Sequence, residues 1–169
     1  TIIPFNEDST PFPISPYAVG KYGGELYAQM KKHQTNNTIV CVRAFNTFGP
    51  FQSEKAVIPE LISKALKGVP IETTKGLQTR EFNYVVNVVD GLIAAITKSP
   101  SFEGVINIGA NDDISIANLV RLIHRLSNSK SELRIGALTD RPTEIWEMSA
   151  NNDKAQEILN WKPKILFEE

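Results

Sequence analysis

The order of elements in this 169-residue sequence predicts an α/β fold. Three observations carry that expectation. Thr38-Ile39-Val40-Cys41-Val42 is a continuous apolar and β-branched run, the pattern of a strand buried on both faces. The segments Ala56 to Lys67 and Ser115 to Leu126 space their apolar residues at helical intervals instead. Strand-like and helix-like segments alternate along the chain rather than clustering by type.

Taken in order, Thr1 to Ile14 is Pro-rich and aperiodic and reads as a loop. Ser15-Pro16 is a helix-start signal, because Pro is tolerated in a first turn. The helix it opens runs from Tyr17 to about His33 and carries Tyr, Leu and Met on one side. The strand at 38–42 follows, then a loop from Asn46 to Gln52 that holds Gly49-Pro50. Val57, Leu61, Ile62, Ala65 and Leu66 give the next helix its apolar face, and Gly68 stops it. Pro70 to Thr74 and Glu81 to Val85 read as short strands around a turn at Gly76, and Asn87 as the cap of a helix running to about Lys98. Gly104 to Ile108 is a short strand. Ser115 caps a helix with Leu119, Val120, Leu122, Ile123 and Leu126 on its apolar face. Leu133 to Ile135 reads as a strand and Asn152 to Leu159 as a short helix. There is no repeat and no low-complexity tract.

Bulk properties exclude several roles. Eighteen Lys and Arg stand against nineteen Asp and Glu, and the formal net charge is -1. With no basic run or stripe, nucleic acid is not an expected partner. No apolar stretch reaches the ~20 residues of a membrane helix, and no charged-then-apolar leader precedes the first motif. Neither a membrane span nor a signal peptide is therefore expected. Cys41 is the one cysteine. It permits no internal disulfide, suits a reducing cytoplasm, and reads as a buried strand residue. His33 and His124 fall on predicted helices among charged neighbours, so both are expected to be exposed, with no metal site. Trp146 and Trp161 are expected to pack.

The strongest chemical signal is Ser15-Pro16-Tyr17-Ala18-Val19-Gly20-Lys21. Positions four apart share one helix face, so the Tyr17 phenol and the Lys21 ammonium stand side by side. A free Tyr is a poor base, with a pKa of ~10; a fixed cation nearby favours the phenolate. The pair suits proton transfer in a hydroxyl-to-ketone redox step. The spacing alone is weak, since Tyr27 and Lys31 repeat it. Tyr17 differs in lying at the helix start, facing a loop, where sites concentrate.

The ordered motifs extend this signal. Glu7-Asp8-Ser9-Thr10-Pro11-Phe12-Pro13-Ile14 leads into Ser15–Lys21. Arg43-Ala44-Phe45-Asn46-Thr47-Phe48-Gly49-Pro50, Ala56-Val57-Ile58-Pro59 and Thr79-Arg80-Glu81-Phe82-Asn83-Tyr84-Val85 follow. Val105-Ile106-Asn107-Ile108-Gly109, Arg141-Pro142-Thr143-Glu144, Asp153-Lys154-Ala155 and Leu159-Asn160-Trp161-Lys162-Pro163 complete the series. In this order the set resembles the extended short-chain dehydrogenase/reductases, the nucleotide-sugar epimerases and dehydratases.

The resemblance implies an architecture. Residues 1–50 would be the end of a Rossmann-type NAD-binding domain, its active-site helix and following strand. Residues 51–169 would be mostly a small α/β domain for a nucleotide sugar, with one later segment able to return to the first domain. No Gly-rich strand-to-helix turn of the dinucleotide type occurs in the sequence. The chain therefore reads as an internal piece of an enzyme about twice its length, with NAD bound mainly by a preceding half.

The resemblance also implies roles. Tyr17 would be the general acid/base. Lys21 would lower its pKa and hydrogen-bond the nicotinamide ribose; the Ser or Thr that completes the family's set is not in this sequence. Asn46 would contact the diphosphate region of the nucleotide sugar; from the residues alone it equally satisfies a turn before Gly49-Pro50. Arg80 would bind the diphosphate, which a planar, permanently charged fork suits; the other reading is a solvated Arg paired with Glu81 or Glu72. Arg141 belongs to a second phosphate motif. Lys55, opening the helix near Ala56, would reach phosphate or simply be solvated. Two residues depart from the family pattern: Asn87 stands for Asp, with little loss of stability expected from two equal capping residues, and Asn160 stands for Gly at a helix end.

The implied activity is an NAD-dependent 4,6-dehydratase acting on a nucleotide-linked hexose or N-acetylhexosamine through a 4-keto intermediate, in the cytoplasm and as a homodimer. A 4-epimerase or reductase of the same family is the alternative, and the acidic pair that would decide lies outside this sequence. The rival of another class is a non-catalytic, nucleotide-sugar-binding or structural fragment. A Gly-rich fingerprint in the DNA upstream separates the two.

Overall fold

The computed structural model describes residues 3–98 and 102–168. The loop expected over 1–14 is thus seen from Ile3 onward, and Thr1 and Ile2 lie outside the described residues. The first helix, α1 (Pro16–Lys32), begins where the sequence signals it. Ser15 Oγ accepts a hydrogen bond from the Ala18 N–H at 3.1 Å, and Pro16 fills a position whose N–H would have no helical partner. The apolar side of α1 is not covered: Leu26, Tyr27 and Met30 are 46%, 59% and 43% exposed, and none of its residues is buried. Charge holds it in place. Glu25 takes Arg43 Nε and Nη2 at 2.8 and 2.7 Å, and Lys32 pairs with Glu103 at 2.8 Å.

Arg43 belongs to β1 (Val40–Ala44), which runs parallel to β6 (Gly104–Ile108) with Val40 opposite Gly104 and Ala44 opposite Ile108. The two-faced burial expected of this strand is not reached. Cys41 and its neighbours are half-buried, because β6 is the one strand paired with β1 among the described residues and α1 buries no residue of its own. The expected loop at 46–52 contains a short strand, β2 (Thr47–Phe48), parallel to β5 (Asn83–Tyr84).

Helix α2 (Val57–Lys67) buries Ile58, Leu61 and Ala65 and stops at Gly68, whose φ of 67° is left-handed. Ile62 and Leu66, expected on the apolar face, are exposed. The strands flanking Gly76 do not pair with each other. β3 (Ile71–Thr73) joins β8 (Leu133–Ile135) in parallel, whereas β4 (Thr79–Glu81) joins β7 (Asp113–Ser115) antiparallel, with Arg80 opposite Ile114. Gly76 explains the divergence. It has φ 64°, its carbonyl accepts from the Ala117 N–H at 3.0 Å, and a Cβ there would lie 2.6 Å from Ala117 N. The turn is pressed against the start of helix α4 (Ile116–Leu126) rather than folding back on itself.

The strand expected over 81–85 breaks at Phe82, and helix α3 (Val85–Thr97) begins two residues before Asn87. Asn87 is therefore not a cap. It is 2% exposed and its side chain ties α3 to the chain's end: Nδ2 donates to Ile165 O at 2.8 Å and to Asn83 Oδ1 at 3.1 Å, while Oδ1 accepts the Lys164 and Ile165 N–H groups at 3.0 and 3.1 Å. Ser115 does cap α4, accepting from the Asn118 N–H at 3.2 Å. Leu126, in the last residue of that helix, runs past the core and is 63% exposed. Helix α5 (Asp153–Leu159) ends on Asn160 at φ 47° and ψ 43°, the left-handed geometry Asn tolerates after Gly.

Two cores result. One gathers Ile58, Leu61 and Ala65 of α2, Ile71 of β3, Phe82, and Leu119, Val120 and Ile123 of α4. The other gathers Val88, Ala94 and Ala95 of α3, Ile106 and Ile108 of β6, and Ala155, Leu159 and Trp161. Trp161 packs fully, with Nε1–H on Asn87 O at 3.1 Å; Trp146, expected to pack, is 50% exposed. The segment 146–151 stitches the cores together. Thr79 and Glu81 N–H groups donate to Trp146 O at 2.8 Å and Met148 O at 3.3 Å, then Phe5 N–H to Ser149 O and Asn151 N–H to Phe5 O, both at 2.8 Å. β4 is thereby held on both edges, by β7 and by residues 146–148.

Candidate functional site

Tyr17 lies in the first turn of α1, 74% exposed. Lys21 Nζ is 5.7 Å from its ring centre. The geometry realises the expected side-by-side placement, and it realises it equally for the second pair, Lys31 Nζ being 5.7 Å from the Tyr27 ring. Neither the Tyr17 hydroxyl nor Lys21 Nζ makes a hydrogen bond or ion pair among the described residues, so both remain free to act on a ligand.

Arg80 is the most constrained of the expected binding residues. It is not solvated, and its partner is neither Glu81 nor Glu72. Glu72 pairs with Arg134 at 2.9 Å, and Glu81 is fully buried on the other side of β4. Arg80 instead donates from Nη2 to Glu144 Oε1 at 2.8 Å and from Nη1 to Thr79 O at 2.7 Å, the pair being 15% and 13% exposed. Glu144 closes a turn on Arg141, its N–H donating to Arg141 O at 3.1 Å. The fold thus brings Arg80 and the Arg141 turn together. The Arg141 side chain is exposed, with no hydrogen bond or ion pair among the described residues.

Asn46 meets the same strand from the other core. Its Nδ2 donates to Glu81 O at 3.2 Å and faces Met148 Sδ at 3.7 Å, and its carbonyl accepts the Asn83 N–H at 2.8 Å. The amide hydrogens are committed to the protein, leaving Oδ1, an acceptor. An acceptor suits a sugar hydroxyl rather than a phosphate oxygen. Lys55 is exposed before α2, and no hydrogen bond or ion pair joins Lys55, Tyr17 or Lys21 to the Arg80 group among the described residues.

Two residues at this junction escaped sequence reasoning. Glu144 stands in a quoted motif, but its partner lies 64 positions away. Glu81 reads as a charged strand residue, yet its Oε2 accepts from the Asn111 N–H at 3.0 Å and its Oε1 is buried without a hydrogen bond. Burial pushes its carboxyl up to about 7, against the opposing pull of nearby backbone N–H groups and with Asp113 adding to the rise. A Cβ at Gly109 would overlap the Glu81 carboxylate and lie 2.5 Å from Ala150 Cβ. The one sequence signal for this contact is the Gly in the quoted Val105–Gly109 motif. His33 is exposed as expected, but His124 is half-buried with Nε2 3.0 Å from Ser131 O. Among the described residues no group of three His, Cys, Asp or Glu side chains could hold a metal ion, and no helix is long and apolar enough to cross a membrane.

Known proteins share this fold. A model of the family described as GDP-mannose 4,6 dehydratase matches residues 1–169. The dTDP-D-glucose 4,6-dehydratase of Bos taurus is 33% identical over 172 residues, covering 98% of this chain and 48% of that protein. The crystal structure of UDP-glucose 4-epimerase with UDP-glucose from Thermotoga maritima has a TM-score of 0.92 at 26% identity, covering 100% of this chain and 55% of that one. UDP-glucuronic acid 4-epimerase from Bacillus cereus, in complex with UDP-glucuronic acid and NAD, has a TM-score of 0.88 at 30% identity, covering 97% and 52%. The chain spans about half the length of the relatives it matches.

Proposed function

The chain belongs to the GDP-mannose 4,6 dehydratase family, among the extended short-chain dehydrogenase/reductases, and from that premise we propose that it is the substrate-binding and proton-transferring part of an NAD-dependent nucleotide-sugar 4,6-dehydratase. The family match along all 169 residues carries the reading. The core on β1 and β6 is read as the end of the cofactor domain, to which 85–108 and 150–161 return, and the core of α2, β3 and α4 as the substrate domain.

Tyr17 and Lys21 fit one end of the cofactor: a free hydroxyl and a free ammonium one helical turn apart match the hydroxyls of a ribose. The sequence has no Gly-rich turn for a pyrophosphate, so these two are the residues that would hold NAD here. When bound, NAD supplies the redox chemistry. Tyr17 takes the proton of the sugar's 4-hydroxyl, and Lys21 stabilises the phenolate that does so. The 4-ketone left once the C4 hydride has passed to the cofactor would acidify the neighbouring C5–H, water would leave across C5–C6, and return of that hydride to C6 with a proton to C5 would give the 4-keto-6-deoxy sugar. Arg80 and Arg141, with Lys55 at the approach to α2, bind the diphosphate; the free Oδ1 of Asn46 takes a sugar hydroxyl.

A second reading, a 4-epimerase, is favoured by the 4-epimerase structures that superpose on 100% and 97% of the chain. The uncovered Leu26, Tyr27 and Met30 face of α1 supports a homodimer, and the single cysteine supports a cytoplasmic setting. The test is product analysis with the polypeptide encoded by the complete open reading frame, NAD, and UDP- and dTDP-linked hexoses and N-acetylhexosamines. A 4-keto-6-deoxy sugar is the expected product. A C4 epimer would transfer the assignment to the second reading, and no turnover of any of them would favour a binding or structural role.

A further inference from the structure

We infer that Glu144 is a positioning residue that docks the Arg141 turn onto Arg80, so that one carboxylate sets both arms of a two-arginine diphosphate clamp; this rests on the diphosphate reading of Arg80. Three observations carry it. Glu144 Oε1 holds Arg80 Nη2 at 2.8 Å in a pair that is nearly buried on both sides. The Glu144 N–H closes the turn on Arg141 O at 3.1 Å, so the residue that grips one arginine is fixed three positions from the other. Beyond Glu144, Trp146 O takes the Thr79 N–H at 2.8 Å, which anchors the same segment to β4 one residue before Arg80.

The donor count shows what this leaves for a ligand. A guanidinium has five N–H donors. One goes to Thr79 O and one to Glu144, leaving three on a side chain whose rotamer is already fixed. Ordering a long cation before the ligand arrives removes that cost from binding. Arg141 gains differently. Its side chain makes no hydrogen bond or ion pair among the described residues, so its place relative to Arg80 depends on the turn, and Glu144 ties that turn to Arg80. A carboxylate in an anion site would otherwise be unfavourable. Here its charge is opposed by Arg80, and the two arginines still leave a positive excess facing a diphosphate.

The experiment is calorimetric titration of the polypeptide encoded by the complete open reading frame with inorganic pyrophosphate and, separately, with UDP. Arg80→Ala is expected to weaken both roughly ten- to hundred-fold. Glu144→Ala is expected to weaken both by a similar factor, and Glu144→Gln, which keeps an acceptor for Nη2, to recover part of the loss. Arg141→Ala should cost affinity in the native background and less in the Glu144→Ala background, because the turn has already lost its side-chain tie to Arg80. Thermal unfolding of Glu144→Gln separates a folding defect from a binding one. Tighter pyrophosphate binding in Glu144→Ala would mean that Glu144 merely competes with the ligand, and loss for UDP alone would mean that it touches the nucleoside; either overturns the inference. Additive losses for Glu144→Ala and Arg141→Ala overturn it too. Unchanged affinity in Arg80→Ala, or no binding by the native chain, would instead remove the diphosphate reading beneath it.

Discussion

The Lys21 ammonium nitrogen lies 5.7 Å from the centre of the Tyr17 ring, and neither group makes a hydrogen bond or ion pair among the described residues. The equal 5.7 Å between Lys31 and Tyr27 shows that the contact follows from helix geometry and not from the site. Position separates the two pairs, since Tyr17 stands in the first turn beside the Ser15 cap and Tyr27 in the middle of the helix. In the complete enzyme Tyr17→Phe is expected to lower turnover by roughly 10²–10⁴-fold, the usual loss of a general acid/base, with little change in substrate affinity. Tyr27→Phe should be near neutral. Equal losses at the two positions in steady-state kinetics would refute the assignment.

Glu81 makes a pH-dependent contribution to stability. Its carboxyl rises from 4.5 to about 7 on folding, mainly by burial. The folded state therefore holds the proton more tightly than the unfolded chain. The resulting stability is complete below pH 4.5 and is lost as the pH rises through 7, on the order of 3 kcal/mol at ~1.4 kcal/mol per pH unit. Asp113, also raised by burial, slopes in the same direction. Glu81→Gln should flatten the fall between pH 5 and pH 8 and leave the protein more stable than the native chain at pH 8. Urea unfolding at both values measures this, and a variant whose curve stays parallel to the native one contradicts it.

Asn87 contributes through the interior of α3. Its amide satisfies the Lys164 and Ile165 N–H groups, Ile165 O and Asn83 Oδ1. Asn87→Ala strands these partners and should cost about 2–4 kcal/mol. Asn87→Asp keeps the acceptor for the two N–H groups but turns a carboxylate oxygen on Ile165 O. Asn83 can rotate to offer its unpartnered Nδ2, so the expected loss is about 1 kcal/mol. Urea unfolding of both variants checks the order; an Asn87→Ala protein as stable as the native one would show that residues 164–165 do not depend on this amide.

The sequence was legible where the determining contacts are local. Ser15, Ser115, Gly68 and Asn160 each act within a turn of their own helix; the first three are legible from neighbours alone, and Asn160 from the family pattern in which it replaces Gly. Legibility failed where a side chain answers to something far along the chain. Asn87 looks like a cap, but its partner Ile165 lies 78 positions on. Arg80 was given acidic partners close in sequence or in a flanking strand, whereas Glu144 reaches it over 64 positions. Helical spacing predicted faces for Ile62, Leu66 and Leu126 that the two small cores do not extend far enough to cover. The same rule holds around Arg80: the Glu144 side chain that ties it to the Arg141 turn could not be read from its neighbours in sequence.

Arg80 is expected to act on binding and not on the chemical step. A diphosphate carries the same charge in the ground state and in the transition state of a reaction at C4 of the sugar, so its arginine contributes uniformly to both. Losing uniform binding raises KM and leaves kcat nearly unchanged. A charge-assisted contact is worth roughly 1.5–3 kcal/mol, so Arg80→Ala should raise KM about ten- to hundred-fold in the complete enzyme. Arg80→Lys should recover only part. Nη1 and Nη2 are held by Thr79 O and Glu144 at 2.7 and 2.8 Å, and a single ammonium cannot satisfy those two acceptors and still present a planar fork to phosphate. Steady-state kinetics with the nucleotide sugar decides the matter. A large fall in kcat at constant KM would place Arg80 on the reacting sugar and end its assignment to the diphosphate.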